Sequence, residues 1–227
     1  MGTAASISNP DGLIVCGFPV SQPSRSVYML CLSAGIPFES VTINIMAGEH
    51  KSPEFLAINS AGLVPAIKEG ELTLGEGAAI LQYISESRGL ANWYPMNPVA
   101  RAKINYWLHW NHTATRMSTT SIFARRLWGD RQVISADIEK FMKHVAFLDQ
   151  HLSTNKFLGG FETPTIADLM IVPEIDQVTF VPGLVDYSQY PNIVRYLADI
   201  STAVSAYEEV AAPVRDIVSA RLAEINA

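Results

Sequence analysis

Leu13-Ile14-Val15-Cys16 is an apolar run with no polar break, the pattern of a short strand buried on both faces. Gly17-Phe18-Pro19 ends it, and Ser21-Gln22-Pro23 reads as a helix start with proline in the first turn. That helix carries Val27, Leu30 and Cys31 on one face and stops near Gly35-Ile36-Pro37. Val41, Ile43 and Ile45 then alternate with Thr42 and Asn44, the period of a half-buried strand. From Met46 to Ser60 the chain is polar and loop-like, with a short helix expected around Pro53 to Ala57. Val64-Pro65-Ala66-Ile67 and Leu72-Thr73-Leu74 flank a Glu69-Gly70 turn and read as a hairpin. Ala79, Ile80, Tyr83 and Ile84 recur at helical spacing between about Glu76 and Ser87. The order β-α-β-loop-β-β-α predicts a small mixed sheet covered by helices.

The pattern lapses from Gly89 to Asn97, the expected linker, and everything beyond reads as helix. Asn97-Pro98 caps one long helix through Tyr106, Trp107, Trp110 and Ile122, and another runs from about Ser135 to Leu152. Thr165-Ile166-Ala167-Asp168 has capping-box spacing with Asp as the reciprocal acceptor, and opens a helix through Leu169, Ile171 and Val172. Two more follow, from about Pro191 to Ser201 and from Ala206 to Ile225. The expected organisation is a tail at 1–12, an α/β domain at 13–88, a linker at 89–97 and an all-α domain at 98–227.

Composition narrows the partners. The chain has 227 residues, 48% of them hydrophobic and 17% charged, which suits a folded globular protein. Sixteen Lys and Arg against twenty-two Asp and Glu give a net charge of −6, with no basic cluster to attract nucleic acid or anionic lipid. Cys16 and Cys31 are too few for a disulfide framework and lack metal-site spacing. No apolar run is long enough to span a membrane and the start has no basic, apolar leader, so a cytoplasmic setting is expected. In that setting the Asn111-His112-Thr113 sequon reads as an accident. Met1-Gly2-Thr3-Ala4-Ala5-Ser6 fits the acceptor form for myristoylation, but a flexible tail of small residues is the favoured reading. A lone acyl chain would in any case bind membrane only marginally.

Ser21 stands where a strand gives way to a helix, and the free N–H groups and dipole there favour an anion. A plain N-cap is the alternative role, and Ser24 is a second first-turn hydroxyl that could face the same pocket. Cys16 falls inside the strand and reads as core. Pro65 reads as an ordinary trans proline at a strand start. By themselves His50 and Lys51 read as a solvated loop, Glu76 as a first-turn acid and Arg116 as a surface charge on a helix continuing to Arg125 and Arg126.

Taken in order, Ser21-Gln22-Pro23-Ser24-Arg25, Gly48-Glu49-His50-Lys51, Val64-Pro65-Ala66, Glu76 before Ala79-Ile80-Leu81, and Trp93-Tyr94-Pro95 resemble the cytosolic glutathione transferases, the theta class most of all. Trp110 to Arg116 and Pro164-Thr165-Ile166-Ala167-Asp168 fit the helical domain of that family. The resemblance implies a thioredoxin-like domain followed by an all-α domain, and a homodimer. It implies an enzyme whose co-substrate is glutathione, with no metal or nucleotide, acting on a hydrophobic electrophile by conjugation or dehalogenation. Ser21 would hold the sulfur, a donor hydroxyl at a helix start stabilising thiolate over thiol, with Arg116 projecting towards it. Gln22, His50, Lys51, Leu63, Val64, Pro65, Glu76 and Gly77 would bind the peptide: His50 and Lys51 at the glycyl carboxylate, Val64 through its backbone, and Glu76 in the γ-glutamyl pocket. Pro65 would be cis, and Met117, Phe123 and Trp128 would be candidates for the wall of a second-substrate cleft between the domains.

Two residues depart from the pattern. Gly77 stands where the family has serine or threonine, and Leu63 where it commonly has Lys or Gln. Each missing hydrogen bond to a charged group would cost about 1.5–3 kcal/mol. This supports a rival reading, a transferase-like scaffold with weakened catalysis, and leads one to expect Gly77→Ser to tighten glutathione binding. A glutathione-dependent reductase ranks lower, because that chemistry usually wants cysteine where Ser21 stands.

Overall fold

The computed structural model describes residues 12–129, 133 and 135–226; the Met1–Ser6 acylation pattern lies outside the described residues. The sheet has four strands, β1 (Ile14–Gly17), β2 (Glu39–Thr42), β3 (Ala66–Glu69) and β4 (Leu72–Gly75), in the order β2-β1-β3-β4. β1 runs parallel to β2 and antiparallel to β3, and β3 and β4 form the hairpin. Leu13 and Val15 enter the main core, whereas Ile14 and Cys16 join a second cluster with Ile43, Phe55 and Ala66 on the other face. Two buried faces explain the unbroken apolar run. β2 is shorter than its alternation suggests. Asn44 leaves the strand to form a turn, its side-chain oxygen accepting from the N–H groups of Met46 (3.0 Å) and Ala47 (3.1 Å).

The register brings four chain ends together. Gly17 pairs with Thr42, Cys16 with Ala66, and Ala66 with Gly75. Thus β1 and β2 finish, β3 starts and β4 finishes at one end of the sheet. From that end leave the Ser21 loop, the loop bearing His50 and Lys51, the Val64-Pro65 approach, and Glu76.

Helices α1 (Gln22–Ser33), α2 (Pro53–Leu56) and α3 (Gly77–Ser87) complete this part. Beyond it lie α4 (Pro98–Thr113), α5 (Thr115–Thr119), α6 (Arg125–Trp128), α7 (Ser135–Leu152), α8 (Ile166–Asp176), α9 (Pro191–Ala203) and α10 (Tyr207–Asn226). The single long helix expected after Asn97 is broken at Ala114 (φ −107°, ψ −93°) and widened into a π turn over Thr120–Ala124. Hydroxyls compete with the helix here. Thr115 donates to the Asn111 side chain (2.6 Å), and Ser118 and Thr119 donate to carbonyls one turn back. Asn111 is fully buried, so its sequon offers no accessible acceptor.

All of α8 is buried, as befits a helix apolar on nearly every side. Asp168 anchors its start: the carboxylate accepts from the Thr165 N–H (2.7 Å) and hydroxyl (3.0 Å), the Leu158 N–H (2.9 Å) and the Tyr196 hydroxyl (3.1 Å). One flank of α8 carries α1, and α3 meets both helices at Gly77. A Cβ added to Gly77 would lie 2.9 Å from the Cβ of Pro23 and 3.3 Å from the Met170 methyl. Gly77 is therefore a close-approach residue, and its missing hydroxyl has a packing reason. The expected benefit of Gly77→Ser conflicts with that contact. Gly77→Ala and Gly77→Ser should each lower stability by about 1–3 kcal/mol, seen as a lower denaturant midpoint at unchanged slope. An unchanged midpoint would show that α3 can retreat freely from Pro23.

Candidate functional site

Ser21 caps α1 from an extended conformation (φ −72°, ψ 116°), and only 7% of it is exposed. Its oxygen accepts from the Ser24 N–H at 3.4 Å, and its backbone N–H is tied to the Phe18 carbonyl at 2.9 Å. The hydroxyl proton remains available to a ligand. Ser24, the alternative hydroxyl, is fully buried and braces the loop by accepting from the Phe18 N–H at 3.3 Å. Cys16 lies in the core, and burial pushes its thiol up to about 11, far from a reactive thiolate.

Arg116 does not sit on the surface as an ordinary helix charge. It reaches across from α5, and its guanidinium donates to the Gln22 side-chain oxygen at 2.5 Å and pairs with Glu174 at 3.5 Å. Gln22 directly follows Ser21, so a cation from the helical half stands beside the start of α1.

Around the same sheet end, the Val64–Pro65 bond is cis, where the residue pattern alone favours trans. Leu63, 59% exposed, packs little, and its carbonyl accepts from the Asn59 amide at 2.7 Å. Val64 joins the smaller core cluster and Pro65 is buried. His50 and Lys51 lie in a single 3₁₀ turn, Glu49–Lys51. Lys51 is exposed, while the His50 Nδ1 is buried without a hydrogen-bond partner. Glu76 is exposed at the cap of α3 and is the one non-glycine with positive φ (65°) among the described residues. An L residue held there costs about 1–3 kcal/mol, and such strain gathers at functional positions. Pattern reading placed Glu76 but had no signal for its strain, because glutamate is not a residue that announces a positive φ.

Of the proposed cleft residues, Phe123 is buried, Met117 exposed and Trp128 half-buried. Trp107 is core, whereas Tyr106 stands out into solvent. Sequence reading missed a set of buried polar residues: Arg25 meets Gln177 across the two halves, and Glu174 meets Thr119 within the helical half. For Glu174 the available signal was an acid inside the otherwise apolar stretch 169–175. Among the described residues no helix is long and apolar enough to cross a membrane, and no group of three or more His, Cys, Asp or Glu is placed to hold a metal ion.

The architecture is a small mixed sheet with its helices, backed by a helical bundle, with a hydroxyl-capped helix start between them. Residues 15–91 match the profile of the glutathione S-transferase N-terminal domain, and residues 131–199 that of the C-terminal domain. Human glutathione S-transferase theta-2 is 37% identical over 170 residues, covering 70% of this chain and 68% of that protein. Glutathione S-transferase T1 of Arabidopsis thaliana is 36% identical over 170 residues, covering 70% and 69%. The crystal structure of human theta-2 with glutathione and an unknown ligand superposes with a TM-score of 0.84 at 29% identity, over 94% of this chain and 91% of that one. A human theta-class structure holding the glutathione conjugate of 1-menaphthyl sulfate gives 0.86 at 29% identity, with the same coverage. The chain belongs to the glutathione S-transferase family, and its likeness is to the theta class.

The strain at Glu76 has a measurable consequence. Glu76→Gly should be more stable than Glu76→Ala by about 1 kcal/mol, because glycine takes a positive φ without the cost a Cβ imposes. Equal stabilities in a denaturant titration would mean that the backbone relaxes without cost.

Proposed function

We propose that this chain joins glutathione to hydrophobic electrophiles as a cytoplasmic, detoxifying homodimer, with Ser21 as the residue that holds the thiolate. The observation that carries the reading is the Ser21 hydroxyl at the start of α1 with the Arg116 guanidinium bound to the very next side chain. A free thiol ionises near pH 8.5, so little thiolate exists at neutral pH. A donor hydroxyl, the α1 dipole and a nearby cation all favour the anion, and each unit of lowering is worth about 1.4 kcal/mol. The thiolate attacks the electrophilic carbon, a C–S bond forms, the leaving group departs with its electron pair, and the thiol proton passes to solvent.

The strand ends supply the peptide site. In this reading the backbone of Val64 beside Pro65 pairs with the glutathione backbone. His50 and the Lys51 ammonium are assigned to the glycyl carboxylate. Glu76 takes the α-ammonium, the Gly77 N–H takes the γ-glutamyl carboxylate, and Gln22 and Leu63 border the pocket. Residues 13–88 form the glutathione domain, joined through 89–97 to the helical domain at 98–227, which shapes the electrophile cleft. Support for the homodimer comes from an exposed aromatic strip. Tyr106 (51% exposed) lies against Trp107, and Phe147 (41% exposed) has its ring centre 5.9 Å from Trp107 and 5.5 Å from Trp110.

Calorimetric titration with reduced glutathione should show saturable binding at millimolar concentration or tighter. Ser21→Ala should leave that affinity within about threefold while lowering kcat towards 1-menaphthyl sulfate about 100-fold, the loss typical of one preorganised donor. Because Ser21 lowers the thiol pKa, its loss should move the rise of kcat to higher pH. Equal losses in binding and turnover would reduce Ser21 to a shaping role, and absence of binding would favour the scaffold. Separately, Phe147→Asp should convert the sedimenting dimer to monomer; an unchanged dimer would place the interface elsewhere.

A further inference from the structure

Glu174 is a carboxylate with no exposure at all, on the wholly buried helix α8. Burial pushes its carboxyl up, opposed by Arg116, Thr119 and Arg25. Such a group is a poor stabilising device, since apolar residues of similar volume commonly serve a core as well or better. Its contacts run instead towards the reactive end. One oxygen accepts from the Thr119 hydroxyl and the other pairs with Arg116 at 3.5 Å. Arg116 in turn donates to Gln22 at 2.5 Å, the first residue of α1 and the neighbour of Ser21. The Arg116 side chain is about one-third exposed and projects from a short helix just after the break at Ala114. Without a fixed counter-charge a long side chain so placed would sample solvent.

We propose that Glu174 is a positioning residue, which, braced by Thr119, holds the Arg116 guanidinium against Gln22 at the start of α1. The inference rests on the reading of Ser21 and Arg116 given above, and it adds the group that keeps the cation in place. Two effects of Glu174 oppose one another. Its negative charge by itself disfavours a nearby thiolate, so a purely electrostatic role predicts that its neutralisation helps turnover. A positioning role predicts the opposite, because a displaced Arg116 no longer assists.

A double-mutant cycle separates them, with glutathione and 1-menaphthyl sulfate as substrates. Glu174→Gln keeps the shape and the acceptor for Thr119 but loses the charge that clamps Arg116. It should lower kcat about tenfold, leave the glutathione Kd within about twofold, and leave the thermal midpoint unchanged or raised. In an Arg116→Ala background the same change should alter kcat less than twofold. Thr119→Val, a milder cut in the same brace, should lower kcat about threefold and also become silent without Arg116; it serves if Glu174→Gln does not fold. Additive losses in the cycle, an increase in kcat, or no effect of Arg116→Ala would overturn the proposal. Ser21→Ala reports on the parent reading independently, since it leaves the Glu174–Arg116–Gln22 chain intact.

Discussion

The seat of α1 on α8 is the constraint on which the reactive end depends. α1 presents Ser21 at its start, so whatever fixes the rotation and slide of α1 fixes the direction of that hydroxyl. Apolar contact along the seam supplies adhesion, but such contact is non-directional. Direction comes from polar ties along the helix. At its first residue Gln22 receives Arg116. In the next turn Arg25 donates to the Pro173 carbonyl at 3.1 Å and the Gln177 side chain at 2.7 Å. At its last residue the Ser33 hydroxyl accepts from the Ala206 N–H at 3.2 Å, just before α10. Three ties along one helix leave it little freedom to turn.

These ties carry an energetic penalty. Arg25 is buried, and desolvation pushes its guanidinium down to about 10, opposed by Asp176 and Glu174. Burial pushes Asp176 up as it does Glu174, with Tyr207 and Arg25 acting against it. Two cations and two carboxylates thus offset one another inside the seam. Arg25 has no solvent to turn to, so stripping it of counter-charge is costly, whereas Arg116, about one-third exposed, keeps its hydration when Glu174 loses its charge. Pro173 fits the same logic. It lies within α8, where it removes one helical N–H, and its own carbonyl serves Arg25.

Much of the fold was legible because it is local. The apolar run of β1, the Glu69-Gly70 hairpin, the helix starts at Ser21, Asn97 and Thr165, and the span of α7 all follow from period and capping chemistry within a few residues. The misses have two physical causes. At Asn44 and around Ala114 short polar side chains compete with the backbone for hydrogen bonds, and periodicity does not weigh that competition. At Gly77, Arg25 and Glu174 the reason for the residue lies in a partner far along the chain: Pro23 and Met170, Gln177, or Arg116. A glycine read as a missing hydroxyl is instead a gap that lets two helix starts meet. The proposed site residues come largely from family motifs, whereas Glu174 behind them leaves only an acid in an apolar stretch as its trace.

The division of labour in the site follows from where each part is built. The residues proposed to face the peptide leave one end of a four-stranded sheet whose register is pinned by β1, buried on both faces. A one-residue slip there would turn every side chain over, so the strand ends are held relative to one another with little tolerance. The cation beside Ser21 comes instead from the helical half, through a short helix flanked by a break and a widened turn. Such irregular helix is easier to reshape than a paired strand, and it needs an external brace to be stiff. Glu174, buried within α8, is the proposed brace. In the proposed reading, recognition of the peptide is set by the sheet, while the cation assigned to its sulfur is set by the packing of the helical half. A change in the bundle can therefore reach turnover without passing through glutathione affinity.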